Sequence, residues 1–148
     1  MPRLALLSAL FVLGCAFPRA SALPGAGWTL LGERTVSGHV QRDEIAVGAR
    51  EGPFVRIKLA VRARTVTFHD VEVHYADGTR QDVALRNTVR VGGETRAVDL
   101  TGGDRRIARV TFIYETPRSR DTRDARAVVA LYGWRPQTLS FSSSTPPR

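Results

Sequence analysis

The chain has 148 residues and carries 22 Lys and Arg against 14 Asp and Glu, for a formal net charge of +8. This length suits one domain held together by its own apolar core, and the single cysteine, Cys15, excludes an internal disulfide framework. The basic residues are not interleaved with aromatic ones, which excludes the stacking stripes of single-strand nucleic-acid binders.

The first 22 residues have the composition of a secretory signal peptide. Arg3 supplies the positive start, an apolar run follows over residues 4–17, and the small residues at 20–22 predict cleavage after Ala22. The apolar run is shorter than the roughly 20 residues that span a bilayer, so a membrane anchor is disfavoured. Residues 12–15 loosely resemble a lipobox, and in that alternative Cys15 is lipidated. Both alternatives predict a periplasmic or secreted protein.

Apolar residues then recur with a period of two, which is typical of half-buried strands. On one strand Val55, Ile57, Leu59 and Val61 alternate with polar or small residues. The phase slips near His69, which predicts a bulge there. The same alternation recurs at Val71, Val73 and Tyr75, at Val83 and Leu85, at Val89 and Val91, at Val98 and Leu100, at Val110, Phe112 and Tyr114, and at Val129 and Leu131, or Val128 and Tyr132 if the other face is buried.

Turn residues separate these runs. Asp77-Gly78 predicts a hairpin with a type I′ turn, and the glycine pairs at 92–93 and 102–103 predict further turns. We therefore predict an all-β protein, a single antiparallel β-sandwich of jelly-roll type over residues 23–135. Residues 117–126 are predicted to be an exposed loop, and residues 136–148 a disordered tail.

One constellation suggests metal chemistry. Asp70, Glu72 and His74 occupy alternate positions and project from one face of a predicted strand. Three such donors can hold a divalent cation that activates water, which is the basis of a hydrolase hypothesis. Their spacing of about 7 Å along the strand favours an ordinary solvated face. We predict no metal site, no cofactor and no catalytic residue, since the chain also lacks a Gly-x-Ser-x-Gly motif.

Two further groups suggest binding. Arg105, Arg106 and Arg109 are suited to a phosphate or carboxylate, although a solvated turn explains them better. Trp28, Tyr132 and Trp134 suit a sugar-stacking platform, but they lie at opposite ends of the chain. Pairing of the terminal strands is expected to bury them.

Several segments taken in order resemble a family of small exported bacterial proteins of unknown function, periplasmic and jelly-roll-like. The resemblance implies a sandwich, and it implies no catalytic residue. Some relatives carry a cysteine pair near the positions of Arg56 and Ile107, which implies that these two strands are close and that apolar packing replaces the bridge here. The segments are Leu30-Leu31-Gly32, Arg56 to Leu59, Val66 to Tyr75, Gly92 to Leu100, Arg106 to Phe112 and Leu131-Tyr132-Gly133.

The sequence thus favours a non-catalytic periplasmic binding or interaction module. Its net charge suits an anionic envelope polysaccharide, and another envelope protein is an alternative partner. Lys58 is the only lysine, and the many arginines alternate with acids, so a mixed solvated surface produced by codon bias explains the charge better than a dedicated anion-binding face. A metal-assisted hydrolase and a structural or stress-related envelope protein are the other functional alternatives.

Overall fold

The computed structural model describes residues 25–48, 51–118 and 126–137. The predictions for residues 1–22, Cys15 among them, lie outside the described residues. So do those for residues 119–125 of the loop and for residues 138–148 of the tail. The described residues contain no helix that is long and apolar enough to cross a membrane.

The described residues form two antiparallel sheets, which confirms the all-β sandwich. Sheet A has the strand order β1-β9-β3-β7, and sheet B has the order β2-β8-β4-β5, with β6 pairing with β4. The strands are β1 (Trp28–Ser37), β2 (Gln41–Ala46), β3 (Arg56–Arg62), β4 (Val66–Tyr75), β5 (Arg80–Val83), β6 (Asn87–Val89), β7 (Val98–Asp99), β8 (Ile107–Glu115) and β9 (Arg126–Trp134).

The core lies between the sheets and is built from the predicted alternation. Because successive side chains of a strand point to opposite faces, alternate apolar residues of each strand meet in one layer. At the end of the chain it is Val129 and Leu131 that are buried, rather than Val128 and Tyr132. The largest fully buried side chains are Tyr114, Phe54, Phe68, Phe112, Ile57, Leu59 and Leu131.

The predicted phase slip on β4 is confirmed. The register with β8 shifts between Phe68 and Asp70, so His69 is the extra residue of a bulge. This shift lets Phe68 and Val71 both face the core, with about 1% of each exposed.

Val55 was predicted to share the buried face of β3 with Ile57, but it lies before that strand and is only partly buried, and Phe54 is buried instead. A second predicted core position is wrong. Val91 is 60% exposed, because β6 ends at Val89 and the chain turns towards the other sheet.

The hairpin at Asp77-Gly78 is confirmed, since β4 pairs with β5, but its predicted turn type is wrong. A type I′ turn needs positive φ at two residues, and only Gly78 has it, at 86°. The Gly78 N–H donates to Tyr75 O, and the Asp77 carboxylate accepts from the Thr79 N–H at 2.9 Å. This side-chain bond holds Asp77 in an ordinary conformation and leaves the left-handed position to glycine.

The proximity implied by the cysteine pair of some relatives is also found. Just before β3 and β8, the backbones of Phe54 and Arg105 exchange two hydrogen bonds of 2.9 Å. Phe54 is fully buried beside this junction, so apolar packing joins the two strands here.

Candidate functional site

The outer face of sheet A carries regular rows of side chains across its strands. Trp28, Trp134, Arg56 and Asp99 form the first row, because each is the register partner of the next. Leu30, Tyr132 and Lys58 form the second row. The third row is Glu33, Ala130, Ala60 and Glu94. The first two rows make a continuous strip, with Asp99 at its edge. We call this strip the aromatic face, and its residues are Trp28, Leu30, Arg56, Lys58, Tyr132 and Trp134.

Cations hold the rings of the aromatic face. The Lys58 ammonium lies 4.6 Å from the ring centre of Trp28 and 6.0 Å from that of Tyr132. The Arg56 guanidinium lies 5.3 Å from the ring centre of Trp134. A cation against an aromatic face is attracted by the ring quadrupole and gains strength when partly desolvated. Lys58 is only 8% exposed, so its aliphatic stem fills the space beneath the rings.

Backbone contacts hold Trp134 from its other side. Gly27 has a φ of 91° and lies so close to the indole that an added Cβ would be 2.5 Å from Trp134 Nε1. The Arg135 N–H also donates to Gly27 O at 3.3 Å. The end of β9 is therefore fixed against the turn before β1, and the indole has little freedom to move.

The charges at the edge of the aromatic face are paired. Lys58 Nζ is 2.8 Å from Glu94 Oε2, and Arg56 Nε is 2.7 Å from Asp99 Oδ1. Both carboxylates are well exposed and point along the rim of the strip. The face therefore offers flat apolar rings beside carboxylate acceptors and a guanidinium donor, the combination of contacts that orients a ligand in a protein site.

The sequence analysis expected the three aromatic residues to be buried by pairing of the terminal strands, and this is wrong. The terminal strands do pair, with Trp28 directly opposite Trp134. Their alternation places the rings outside, however, because Leu31, Gly133 and Leu131 take the inward positions. Each ring is half-buried, and Leu30 is 46% exposed.

Sequence reasoning missed four polar residues of this site: Arg56, Lys58, Glu94 and Asp99. A usable signal existed for one of them. Lys58 is the only lysine among 22 basic residues, and it occupies a polar position on the most regular strand of the pattern. Nothing in the sequence links the other three to the rings, since β7 pairs with β3 only in the fold.

Sheet B shows where the predicted metal constellation lies. Asp70, Glu72 and His74 do share the outer face of β4, as predicted. His74 Nε2 is 2.6 Å from Glu72 Oε1, although the two are not aligned as a hydrogen bond. Asp70 instead lines a separate depression with Asp82. Within residues 25–48, 51–118 and 126–137, no three His, Cys, Asp or Glu side chains are arranged to hold a metal ion.

The other long side chains of sheet B complete a ladder of charges. Arg109 lies 3.5 Å from His74 Nδ1 and 3.4 Å from the Glu44 carboxylate, and Arg80 lies 3.8 Å from Glu72. A depression of about 410 Å³ beside them is lined by Arg42, Asp43, Glu44, His74, Arg109 and Thr111. Both signs of charge line it, and no Phe, Tyr or Trp is among its lining residues in the described part of the chain.

The predicted arginine group is divided by the fold. Arg105 donates to Asp77 at 2.8 Å and to Thr101 O at 2.9 Å, and it stacks 3.9 Å from the ring centre of Tyr75. Burial raises the pKa of Tyr75, and the neighbouring guanidinium opposes this rise. Arg109 projects from sheet B instead, and Arg105 clamps the β4–β5 hairpin. Arg106 and Arg109 are exposed, as the explanation by a solvated surface predicts.

Three comparisons relate this chain to known proteins. A family model described as Domain of unknown function (DUF2541) matches residues 5–133. No curated protein matches the chain. A solved structure of Pseudomonas aeruginosa AlgX is similar over 73% of this chain and 27% of that one, with 15% identity and a TM-score of 0.49.

Proposed function

We propose that this chain, which belongs to the DUF2541 family of unknown function, is a non-catalytic module that binds glycans on its aromatic face. The observation that carries the proposal is the row in which Trp28 and Trp134 lie side by side, partly exposed, next to Arg56 and Asp99. The proposed location, periplasmic or secreted, is supported by the signal peptide predicted over residues 1–22.

A sugar ring has an apolar surface and polar edges, which matches the rings and carboxylates of this face. Its C–H groups form an apolar surface that packs on an indole, while its hydroxyl groups project from the edges. On the aromatic face the rings lie on β1 and β9, and the carboxylates of Asp99 and Glu94 lie beyond β3, at the side of the rings where those hydroxyl groups would reach. Such carboxylates accept hydrogen bonds, and bonds to a charged acceptor are about twice as strong as neutral ones.

The alternative partner, another envelope protein, is less well suited. Stable protein interfaces bury about 800 Å² on each partner and have few charged residues at their centre. The aromatic face has charged pairs directly beside its rings, since Lys58 and Arg56 touch them. A narrow linear ligand that covers the rings and leaves the charged pairs at its sides avoids this desolvation cost.

Tryptophan fluorescence is a direct test, because both tryptophans of the chain lie on this face. We expect soluble oligosaccharides to shift the emission of the wild-type protein in a saturable manner. Trp134→Ala should weaken binding at least about fivefold by calorimetry, since an aromatic contact contributes about 1 kcal/mol or more. The control is Val91→Ala, which removes an apolar side chain that is 60% exposed elsewhere on the surface.

Two results would contradict the proposal. Equal affinities of wild type and Trp134→Ala, with both proteins shown to be folded by circular dichroism, would remove the aromatic face as the binding site. Release of new reducing ends from the oligosaccharide would refute the non-catalytic assignment.

A further inference from the structure

The aromatic face is electrically balanced, although the chain as a whole is basic. Each of its cations has a carboxylate partner: Arg56 pairs with Asp99, and Lys58 pairs with Glu94. Next to this face, Arg62 pairs with Glu33 of the third row. These pairs therefore add no net charge beside the rings.

The one cation beneath the rings is not available to an anion. Lys58 has 9% of its side chain exposed, and its ammonium already contacts Glu94 and two rings. A carboxylate or sulfate ligand would have to displace Glu94 and enter a space that the side chains of Trp28 and Tyr132 cover. Breaking an ion pair whose cation is buried costs more than an exposed replacement returns.

The carboxylates are the more exposed members of the charged pairs at the rim. The side chains of Asp99 and Glu94 are 80% and 56% exposed, whereas those of their partners Arg56 and Lys58 are 50% and 9% exposed. An acidic sugar at the rim therefore meets carboxylates whose cations are already engaged, and it gains no new ion pair. A neutral sugar can donate its hydroxyl hydrogens to the same carboxylates.

We infer that the aromatic face selects uncharged saccharide chains and disfavours anionic ones. This inference rests on the proposed function and reverses the expectation drawn from net charge alone. Long-range attraction of a polyanion to the basic molecule remains, but salt screens it, whereas ring stacking and hydrogen bonds to the rim are local.

The test compares oligosaccharides of equal length built from neutral glucose or from galacturonic acid. Affinities are measured by calorimetry at about 0.1 M and about 1 M salt, over which the Debye length falls from about 10 Å to about 3 Å. We expect the neutral chain to bind at least about tenfold more tightly, with less than a twofold change between the two salt concentrations. Any binding of the uronate chain should disappear at high salt and be unaffected by Trp134→Ala.

A charge-removing variant sharpens the test. Asp99→Asn should weaken the neutral chain severalfold and strengthen the uronate chain, because it removes a charged acceptor from the rim. The matched control is Asp82→Asn, the same change at an exposed position on the outer face of sheet B, and it should alter neither affinity.

The outcomes separate the two proposals. Tighter binding of the uronate chain that Trp134→Ala abolishes would overturn the present inference and leave the glycan-binding proposal intact. Absence of binding by both chains would overturn both. Self-association in sedimentation experiments that Trp134→Ala abolishes would also overturn both, because a second copy of the chain would then occupy the face.

Discussion

The two outer faces of the sandwich are built by the same alternation of side chains, yet they differ in what they present. On sheet A the aromatic face combines rings with paired charges, and Lys58 lies beneath the rings. On sheet B the face around His74 is a ladder of charged groups that contact one another, among them Glu72 and Arg109. Charged pairs occur on both faces, and sheet A adds a strip of partly exposed aromatic rings.

This difference distinguishes the proposed binding surface on sheet A from the ordinary solvated surface on sheet B. A charged ladder gains little from a ligand, because each group would exchange one polar partner for another. Exposed rings release water when they are covered, so they provide a driving force that paired charges lack. The constellation that looked most chemical in the sequence lies on sheet B, and we propose the other face as the functional one.

The largest expected effect is the loss of stability when Lys58 is removed from sheet A, compared with the loss when Arg80 is removed from sheet B. Lys58→Ala should lower the free energy of unfolding by about 3 kcal/mol, because it removes buried aliphatic packing and the contacts with two rings. Arg80→Ala on sheet B should lower it by less than about 0.5 kcal/mol, since its side chain is 66% exposed and 3.8 Å from Glu72. Urea unfolding measures both, and equal effects would contradict the distinction between the faces.

A smaller loss of stability is expected when alanine replaces either of two glycines that have positive φ. Alanine at Gly78, where nothing lies within 4 Å, should cost only backbone strain of about 1 kcal/mol. Alanine at Gly27 has the same strain and also displaces the Trp134 ring, for a total of about 2 kcal/mol. Only Gly27→Ala should change the tryptophan emission. A changed emission in Gly78→Ala would show that the aromatic face is not independent of the hairpin.

The smallest expected effect is the pH dependence of stability that comes from Asp77, in the hairpin between β4 and β5. The Thr79 hydroxyl and N–H, with help from Arg105, hold the pKa of Asp77 below its ordinary value of 3.8. A lowered pKa in the folded state stabilises the protein above the ordinary value, and this contribution is lost as pH falls through the lowered one. Asp77→Asn should therefore be slightly less stable than wild type at neutral pH. The difference should vanish in acid, and a constant difference in urea unfolding across pH would refute this role.

Much of the fold could be predicted because the relevant signal is local. A strand buried on one side alternates apolar and polar residues regardless of its partner, so β3, β4 and β8 were evident from their spacing. The bulge at His69 was equally evident, since a slipped phase has to be absorbed within the strand. The turn type at Asp77 was not evident from the sequence. The dipeptide Asp77-Gly78 alone is compatible with more than one turn, and the hydrogen bond from the Thr79 N–H to the Asp77 carboxylate is seen only in the structure.

The candidate site could be predicted only in its residue types. Trp28, Tyr132 and Trp134 were recognised as a set that suits sugar stacking, but their exposure was predicted wrongly. Whether a ring at an alternating position faces the core depends on which neighbours take the inward positions. Here Leu31 and Gly133 take them, with Gly133 packed against Phe54.

From the residues alone followed the all-β class, the strands with their buried faces, and the acidic and basic composition of the surface, because these depend on patterns within a few residues. The tertiary structure was needed to bring β1 beside β9 and β7 beside β3, which assembles the aromatic face from residues that are up to 106 positions apart. The register of long-range strand pairs depends on the packing of the whole core. No short segment of this chain contains that information.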